Sequence, residues 1–190
     1  MTKVYIENQN FKGINLFEKG LAIGEYENCT FHTCILSNLT LSDIKFLDCQ
    51  FEECDLSLAK ISGSSFQNVM FKNSKLLGMH FDECNKFLFS VSFNGCQLNL
   101  SSFYKMTLKN MIFNHCELKE VDFTESNLTN SSFNNCDLYG AIFVNSNLEK
   151  ADFRNAFNFN IDPEINKIRK AKFSINTIAG LLDKYDIEID

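Results

Sequence analysis

Residues 131–155 read SSFNN, CDLYG, AIFVN, SNLEK and ADFRN, which are five consecutive blocks with one pattern. The third residue of each block is large and apolar, the first is small, and the other three are mostly polar. A period of five matches neither the 3.6-residue turn of an α-helix nor the two-residue alternation of a strand. It is typical of a coil that turns a corner every five residues, with one large and one smaller side chain of each block pointing inward.

The same period extends over most of the chain. Large apolar residues fall in register at Phe11, Leu16, Leu21, Tyr26, Phe31, Leu36, Leu41, Phe46, Phe51, Leu56, Ile61, Phe66, Phe71, Leu76 and Phe81, and again at Leu88, Phe93, Leu98, Phe103, Leu108, Phe113, Leu118, Phe123, Leu128, Phe133, Leu138, Phe143, Leu148 and Phe153. Identical side chains recur every twenty residues, which indicates four blocks per coil. Because parallel strands stack about 4.8 Å apart, roughly seven coils would make a rod of roughly 34 Å. The predicted class is all-β, a right-handed quadrilateral parallel β-helix.

One break interrupts the period, because Phe81 and Leu88 are seven residues apart. A two-residue bulge near residues 82–87 would explain it. With such a bulge, the inward phenylalanines that recur every twenty residues, called here the Phe column, continue directly from Phe71 to Phe93. The inward leucines that recur in the same way also continue without a break. We therefore expect a bulge in an otherwise continuous rod, with Leu88 as the next inward residue.

The repeat resembles that of the pentapeptide-repeat family, whose consensus is Ala-(Asp/Asn)-Leu-x-x. The residues that carry the resemblance are Ala151-Asp152-Phe153-Arg154-Asn155, Ser146-Asn147-Leu148-Glu149-Lys150 and Cys136-Asp137-Leu138-Tyr139-Gly140, and it covers about residues 5–157. The chain also looks like the quinolone-resistance (Qnr) proteins and their topoisomerase-binding relatives. It departs from those of Gram-negative bacteria, whose long projecting loops are needed for full drug protection. Topoisomerase binding is compatible with that departure, whereas protection from quinolones is the less expected outcome.

The resemblance implies a division into a repeat over residues 1–160 and a C-terminal capping and dimerisation module over residues 161–190. Ser174 is a suitable N-cap for a predicted α-helix over Ile175–Lys184, and Ile187–Ile189 alternates like a final strand. The apolar face of this segment predicts a homodimer interface formed by Ile175, Ile178, Leu182, Tyr185, Ile187 and Ile189.

Charge and composition limit the classes of partner. The formal net charge is −6 and the sequence pI is about 5.1, which disfavours direct binding to nucleic acid. Acidic residues at outward positions form a candidate partner-binding face, which consists of Asp82, Glu83, Glu117, Glu120, Asp122 and Glu125. The alternative for each of them is an ordinary solvated surface with aspartates that cap turns.

No catalytic, cofactor-binding or metal-binding residues are predicted. Seven of the eight cysteines fall at the small inward position and Cys84 keeps that spacing at the bulge, so a role as small core residues is expected rather than disulfides or metal ligands. His32, His80 and His115 fall at separated outward positions. No apolar leader segment or stretch long enough to cross a membrane occurs in the sequence, so a cytoplasmic protein is the expectation.

Two functions remain open. The first is a non-enzymatic DNA mimic that binds a type II topoisomerase, either DNA gyrase or topoisomerase IV, and modulates it or protects it from quinolones or toxins. The second is a general protein-interaction scaffold or regulator with an unrelated partner, since solenoids offer long flat surfaces. A continuous acidic stripe would favour the first function, and its absence would favour the second.

Overall fold

The computed structural model describes residues 3–15 and 20–188. Short parallel strands form two ladders on adjacent sides of a coil. One ladder is a four-stranded sheet of β1 (Val4–Glu7), β3 (Gly24–Glu27), β5 (Lys45–Leu47) and β7 (Ser65–Gln67). The other is a seven-stranded sheet of β2 (Asn10–Lys12), β4 (Thr30–His32), β6 (Gln50–Glu52), β8 (Val69–Lys72), β9 (Val91–Asn94), β10 (Ile112–Asn114) and β11 (Ser132–Asn134). Isolated parallel bridges connect the coils on the remaining two sides.

The ladder register confirms the twenty-residue coil. Phe11 pairs with Phe31, Phe31 with Phe51, and Phe51 with Phe71. Phe71 then pairs with Phe93, twenty-two residues further on, as the bulge interpretation requires. The right-handed quadrilateral parallel β-helix predicted from the sequence is therefore the observed fold.

Stacked aromatic rings fill the core. Along the ladder from Phe11 to Phe173, successive ring centroids lie between 4.5 Å (Phe31 to Phe51) and 5.5 Å (Phe93 to Phe113) apart. A second ladder begins at Phe81 and continues through Phe103, with centroids 4.8 Å apart. The rings of the two ladders meet edge to face, an arrangement that aromatic quadrupoles favour. All eight cysteines are buried, as expected from their inward positions.

The corners of the coil place outward residues in regular columns. Many corner residues adopt a positive φ, for example Asn130 at 61° and Glu120 at 55°. The N–H of such a residue donates to the next coil, as Glu120 does to the Tyr139 carbonyl at 2.9 Å. Residues twenty apart are thereby held one above the other, so the position of a residue in the period decides which surface it belongs to.

The bulge differs in detail from the prediction. The bridge from Ser65 to Asn85 still has the twenty-residue register, so the two extra residues lie between Asn85 and Val91. Leu88, predicted to point inward, is exposed and has a φ of 55°, so that prediction is wrong. Phe89 packs against the core instead, with its ring 6.2 Å from that of Phe81, because the chain rejoins the ladder at the next residue.

The C-terminal segment contains no α-helix among its described residues, which corrects the prediction for Ile175–Lys184. Turns lead into two short 3₁₀ helices, Ile178–Leu181 and Asp183–Tyr185. The physical reason is close contact with the last coil: the Gly180 carbonyl accepts the Ile161 N–H at 2.9 Å, and a Cβ at Gly180 would clash with Phe159. Of the predicted final strand, residues 187 and 188 have no regular structure and Ile189 lies outside the described residues.

Pairing of coils continues past residue 160. Lys167 and Lys172 bridge to Asn147 and Asp152, and the Phe173 ring stacks on that of Phe153 at 5.3 Å. The division of the chain at residue 160 into a repeat and a dimerisation module stays a prediction. In the part of the chain that the structure describes, no helix has the length and apolar character needed to cross a lipid bilayer.

Candidate partner-binding surface

The coil has four outward faces, each named here for the inward residue at its centre in the second coil. In chain order they are the Phe31 face, the Leu36 face, the Leu41 face and, closing the coil, the Tyr26 face. The seven-stranded sheet forms the Phe31 face and the four-stranded sheet forms the Tyr26 face. The Leu36 and Leu41 faces adjoin each other at a corner and are held by isolated bridges.

The six predicted acidic residues all lie on these two adjoining faces. Glu117 and Glu120 lie on the Leu36 face, and Asp122 and Glu125 follow them around the corner on the Leu41 face of the same coil. The structure therefore brings these four together. Asp82 and Glu83 also lie on the Leu41 face, but two coils nearer the N-terminal end.

Lysines interrupt this surface. Lys105 lies in the coil between Glu83 and Glu125, and its Nζ is 3.4 Å from Glu125 Oε2. On the Leu36 face, Lys119 Nζ is 3.4 Å from Asp137 Oδ2. Exposed ion pairs of this kind contribute little to stability, but each one cancels a negative charge. The acidic surface is consequently a set of patches and not a continuous stripe.

Some of these carboxylates also have local structural partners. Asp122 Oδ1 accepts the Thr124 N–H at 2.8 Å, a hydrogen bond typical of an aspartate that caps a turn. Glu117 Oε2 accepts a hydrogen bond from Asn99 Nδ2 in the coil below at 3.1 Å. Turn capping therefore explains part of the acidity, whereas Glu120 has no such bond among those of the described residues.

The position of each charged residue in the repeat assigns it to a face of the rod. The resulting difference in charge between the faces is larger than the local acidic clusters in the sequence suggest. Between residues 24 and 172, and leaving out Lys86 in the bulge, the Leu36 and Leu41 faces carry 11 acidic and 4 basic residues. The other two faces carry 7 acidic and 9 basic residues. The acidic residues of the first pair of faces that the sequence analysis missed are Asp43, Asp55, Asp137, Asp162 and Glu164.

The C-terminal segment pairs one lysine with two of these acidic residues. Lys184 Nζ lies 2.7 Å from both Asp162 Oδ1 and Glu164 Oε2. The hydrogen bond from Lys184 lowers the pKa of each carboxyl group below its usual value. Both carboxylates therefore stay ionised, and this ion pair holds the segment against the end of the rod.

The cysteines are buried in the core, and the histidines lie far apart on the surface. Burial raises the pKa to about 12 for the thiols of Cys49, Cys54, Cys84 and Cys96. His32 and His115 lie on the Phe31 face four coils apart, and His80 lies on the Leu41 face. No group of three or more His, Cys, Asp or Glu residues within residues 3–15 and 20–188 is arranged to hold a metal ion.

The predicted dimer residues form a largely exposed apolar end of the chain. Ile175 is 87% exposed, and Ile178, Tyr185 and Ile187 are also exposed, whereas Leu182 is half-buried. The Tyr185 hydroxyl donates to Glu164 at 2.8 Å, so its ring is held at the edge of this end. Ile189, the last predicted member, lies outside the described residues.

Comparison with known proteins agrees with this architecture. The family model described as a pentapeptide repeat region matches residues 25–86 and 86–162, more than half of the chain. No curated protein sequence matches the chain significantly. The fold defines a solenoid repeat protein, and the chain belongs to the pentapeptide-repeat family.

Solved structures similar to this chain have low sequence identity to it. A trypsin-treated variant of QnrB1, a plasmid-mediated fluoroquinolone resistance protein, is 20% identical with a TM-score of 0.50, and the match covers 98% of this chain and 92% of that one. A second trypsin-treated variant of QnrB1 is also 20% identical, with a TM-score of 0.49 and coverage of 98% and 100%. HetL, a pentapeptide-repeat protein from the cyanobacterium Nostoc sp. strain PCC 7120, is 16% identical with a TM-score of 0.36 and coverage of 89% and 88%.

Proposed function

We propose that this protein is a non-enzymatic DNA mimic that acts in the cytoplasm and binds a type II topoisomerase, either DNA gyrase or topoisomerase IV. Binding would modulate the enzyme or protect it from quinolones or toxins. The observation that carries the proposal is the excess of acidic residues on the two adjoining Leu36 and Leu41 faces. The resemblance to topoisomerase-binding Qnr proteins supports the choice of enzyme.

The charge density suits partial mimicry. B-DNA carries one negative charge per ~1.7 Å of axis, so a rod of ~34 Å would need ~20 charges to imitate it fully. The acidic faces carry 11 carboxylates against 4 basic side chains, and their net charge of −7 is about a third of that number. These faces would therefore occupy one wall of a DNA-binding groove, while the more basic opposite faces point away from it.

A second candidate, a scaffold for an unrelated protein partner, is favoured by the absence of a continuous acidic stripe. Lys105 and Lys119 break the acidic surface into patches through their ion pairs with Glu125 and Asp137. A partner with separate basic spots would fit this pattern as well as a DNA-binding groove does. The two candidates differ in whether gyrase or topoisomerase IV responds to the protein.

Gyrase-catalysed supercoiling of relaxed plasmid, with and without a quinolone, tests the proposal. We expect the wild-type protein to inhibit supercoiling at micromolar concentration or to relieve the effect of the drug. Neutralising the coil at Glu117→Gln, Glu120→Gln, Asp122→Asn and Glu125→Gln should raise the concentration needed by about tenfold or more, because desolvated charge contacts with a basic groove are lost.

A matched control removes the same amount of charge from the opposite faces, through Glu27→Gln, Asp48→Asn, Glu53→Gln and Glu149→Gln. This control variant should act like the wild type. If the two variants lose the same amount of their effect on supercoiling, the effect depends on net charge alone and not on the faces that carry it. If the wild-type protein has no effect on gyrase or on topoisomerase IV in either condition, the proposed function is wrong and the scaffold candidate takes its place.

A further inference from the structure

Three exposed leucines occupy corner positions that other residue types would fill more favourably. Described residues with a positive φ are polar or glycine with only three exceptions, Leu58, Leu88 and Leu100. Their side chains are 57%, 61% and 61% exposed. The left-handed region is costly for most side chains and is best tolerated by Gly, Asn and Asp. A leucine there combines backbone strain with exposed apolar surface.

Two of the three belong to one column. The Leu58 N–H donates to Leu77 O at 2.8 Å, and the Gly78 N–H donates to Asn99 O at 2.9 Å. Leu100 therefore lies two coils above Leu58, with Gly78 between them. Leu58 Cδ2 lies so close over Gly78 that a Cβ there would be 2.8 Å from it. Leu58, the half-buried Leu77 and Leu100 form an apolar ridge, called here the leucine corner.

Glycine at position 78 allows the ridge to form. A side chain at that point would push Leu58 away from the column, whereas glycine leaves the Leu58 side chain lying along the rod. Singly exposed apolar residues are common on protein surfaces, but Leu58, Leu77 and Leu100 occupy three successive coils at one corner. Conflicts between local preference and structure concentrate at functional sites, which makes this corner a candidate contact surface.

The leucine corner continues directly into the acidic surface. The Leu100 N–H donates to Lys119 O at 2.9 Å, which places Glu120 next in the same column. Asn99, beside Leu100, donates to Glu117. At about 4.8 Å per coil, Leu58 lies ~10 Å from Leu100 and ~14 Å from Glu120 along the rod. One partner surface of ordinary size would cover both features.

We propose that the leucine corner is an apolar anchor that docks on the same basic partner protein that the acidic faces attract, so this inference rests on the proposed function. Charge complementarity selects that occupant. A second copy of this chain docking at the corner would bring two acidic surfaces together, which like-charge repulsion disfavours. DNA has no equivalent of a leucine ridge, so the anchor distinguishes this protein from the polymer whose charge it imitates.

The anchor and the acidic faces contribute differently to binding. Salt screens the attraction of exposed charges, whereas burial of leucine side chains is not weakened by salt. The acidic faces therefore govern the rate of association and its salt dependence. The leucine corner governs the lifetime of the complex and binding at high salt.

The test is binding of the full-length protein to purified gyrase and to purified topoisomerase IV, measured by surface plasmon resonance at low and high salt. Leu58→Asn with Leu100→Asn should raise the Kd about tenfold or more at both salt concentrations, mainly through faster dissociation. Asparagine suits the left-handed corner, so the double variant should fold and keep or raise its melting temperature. Leu88→Asn is the matched control, since it changes an exposed left-handed leucine at the bulge, and it should shift the Kd less than twofold.

The outcomes separate the two proposals. If the wild-type protein binds gyrase and the double variant binds equally well, the leucine corner is not an anchor, while the proposed function stands. If the wild-type protein binds neither gyrase nor topoisomerase IV, the proposed function fails and the anchor fails with it. If sedimentation shows that the double variant loses self-association, the corner is a contact between copies of this chain and the proposal is overturned.

Discussion

Among the individual residues, phenylalanine is the one that most often occupies the large inward position of the repeat, and this position determines the fold. Twenty of the 190 residues are phenylalanine, and the stacked rings repeat at the spacing of parallel strands. A flat ring stacks on its neighbour at that spacing, so each ring packs against the rings of the two adjacent coils. Phe113 illustrates this, because its ring lies 5.5 Å from Phe93 and 5.1 Å from Phe133.

Phe113→Ala should therefore lower the free energy of unfolding by about 3–5 kcal/mol, since it opens a cavity in the middle of the ladder. Ile112→Ala, at the exposed neighbouring position, should change it by less than about 0.5 kcal/mol. Urea denaturation followed by circular dichroism measures both. Similar losses for the two variants would mean that the ring ladder does not dominate the stability of the rod.

Among the structural elements, those that belong to the regular repeat could be predicted from the sequence. Those whose conformation depends on contacts outside the repeat could not. The twenty-residue register, the continuous Phe column and the inward cysteines follow from periodicity alone. Leu88 was misplaced because periodicity does not say which residue of an irregular segment rejoins the ladder. The C-terminal α-helix was wrong because the contact of Gly180 with Ile161 and Phe159 imposes tight turns on an apolar pattern of helical spacing.

The candidate partner-binding surface could also be predicted from the sequence only in part. Local clusters in the sequence identified Glu117, Glu120, Asp122 and Glu125, which the structure places on one coil. Asp43 and Asp55 were missed because each is isolated in sequence and joins the surface only through the register of the coils. The leucine corner was missed because the corner conformation is not visible in a hydrophobic pattern.

The C-terminal segment carries a prediction of its own, that the exposed isoleucines join two copies. Ile175→Glu with Ile178→Glu in the full-length protein should convert the predicted dimer into a folded monomer, because both side chains are exposed in the single chain. Light scattering after size-exclusion chromatography measures the mass. Ile112→Glu, an exposed isoleucine on the Phe31 face, is the control and should leave the dimer intact. A double variant that remains dimeric would contradict the predicted interface.

Over the whole rod, the four faces differ in their charge. The Leu36 and Leu41 faces are acidic, the Phe31 and Tyr26 faces are slightly basic, and the leucine corner lies beside the acidic coil. This sorting gives the rod one side that a cationic groove attracts and an opposite side that it does not. The proposed DNA mimic differs from DNA, which has the same charge on every side, and it should bind in one rotational orientation.

Competition with DNA for purified gyrase tests whether the protein occupies the DNA-binding groove. Displacement of a fluorescently labelled duplex from gyrase is followed by anisotropy as the protein is added. We expect the wild-type protein to displace the duplex and the variant neutralised at Glu117, Glu120, Asp122 and Glu125 to need about tenfold more protein or worse, with both effects weakened by salt. Simultaneous binding of protein and duplex to gyrase, with no change in the affinity for DNA, would contradict the account.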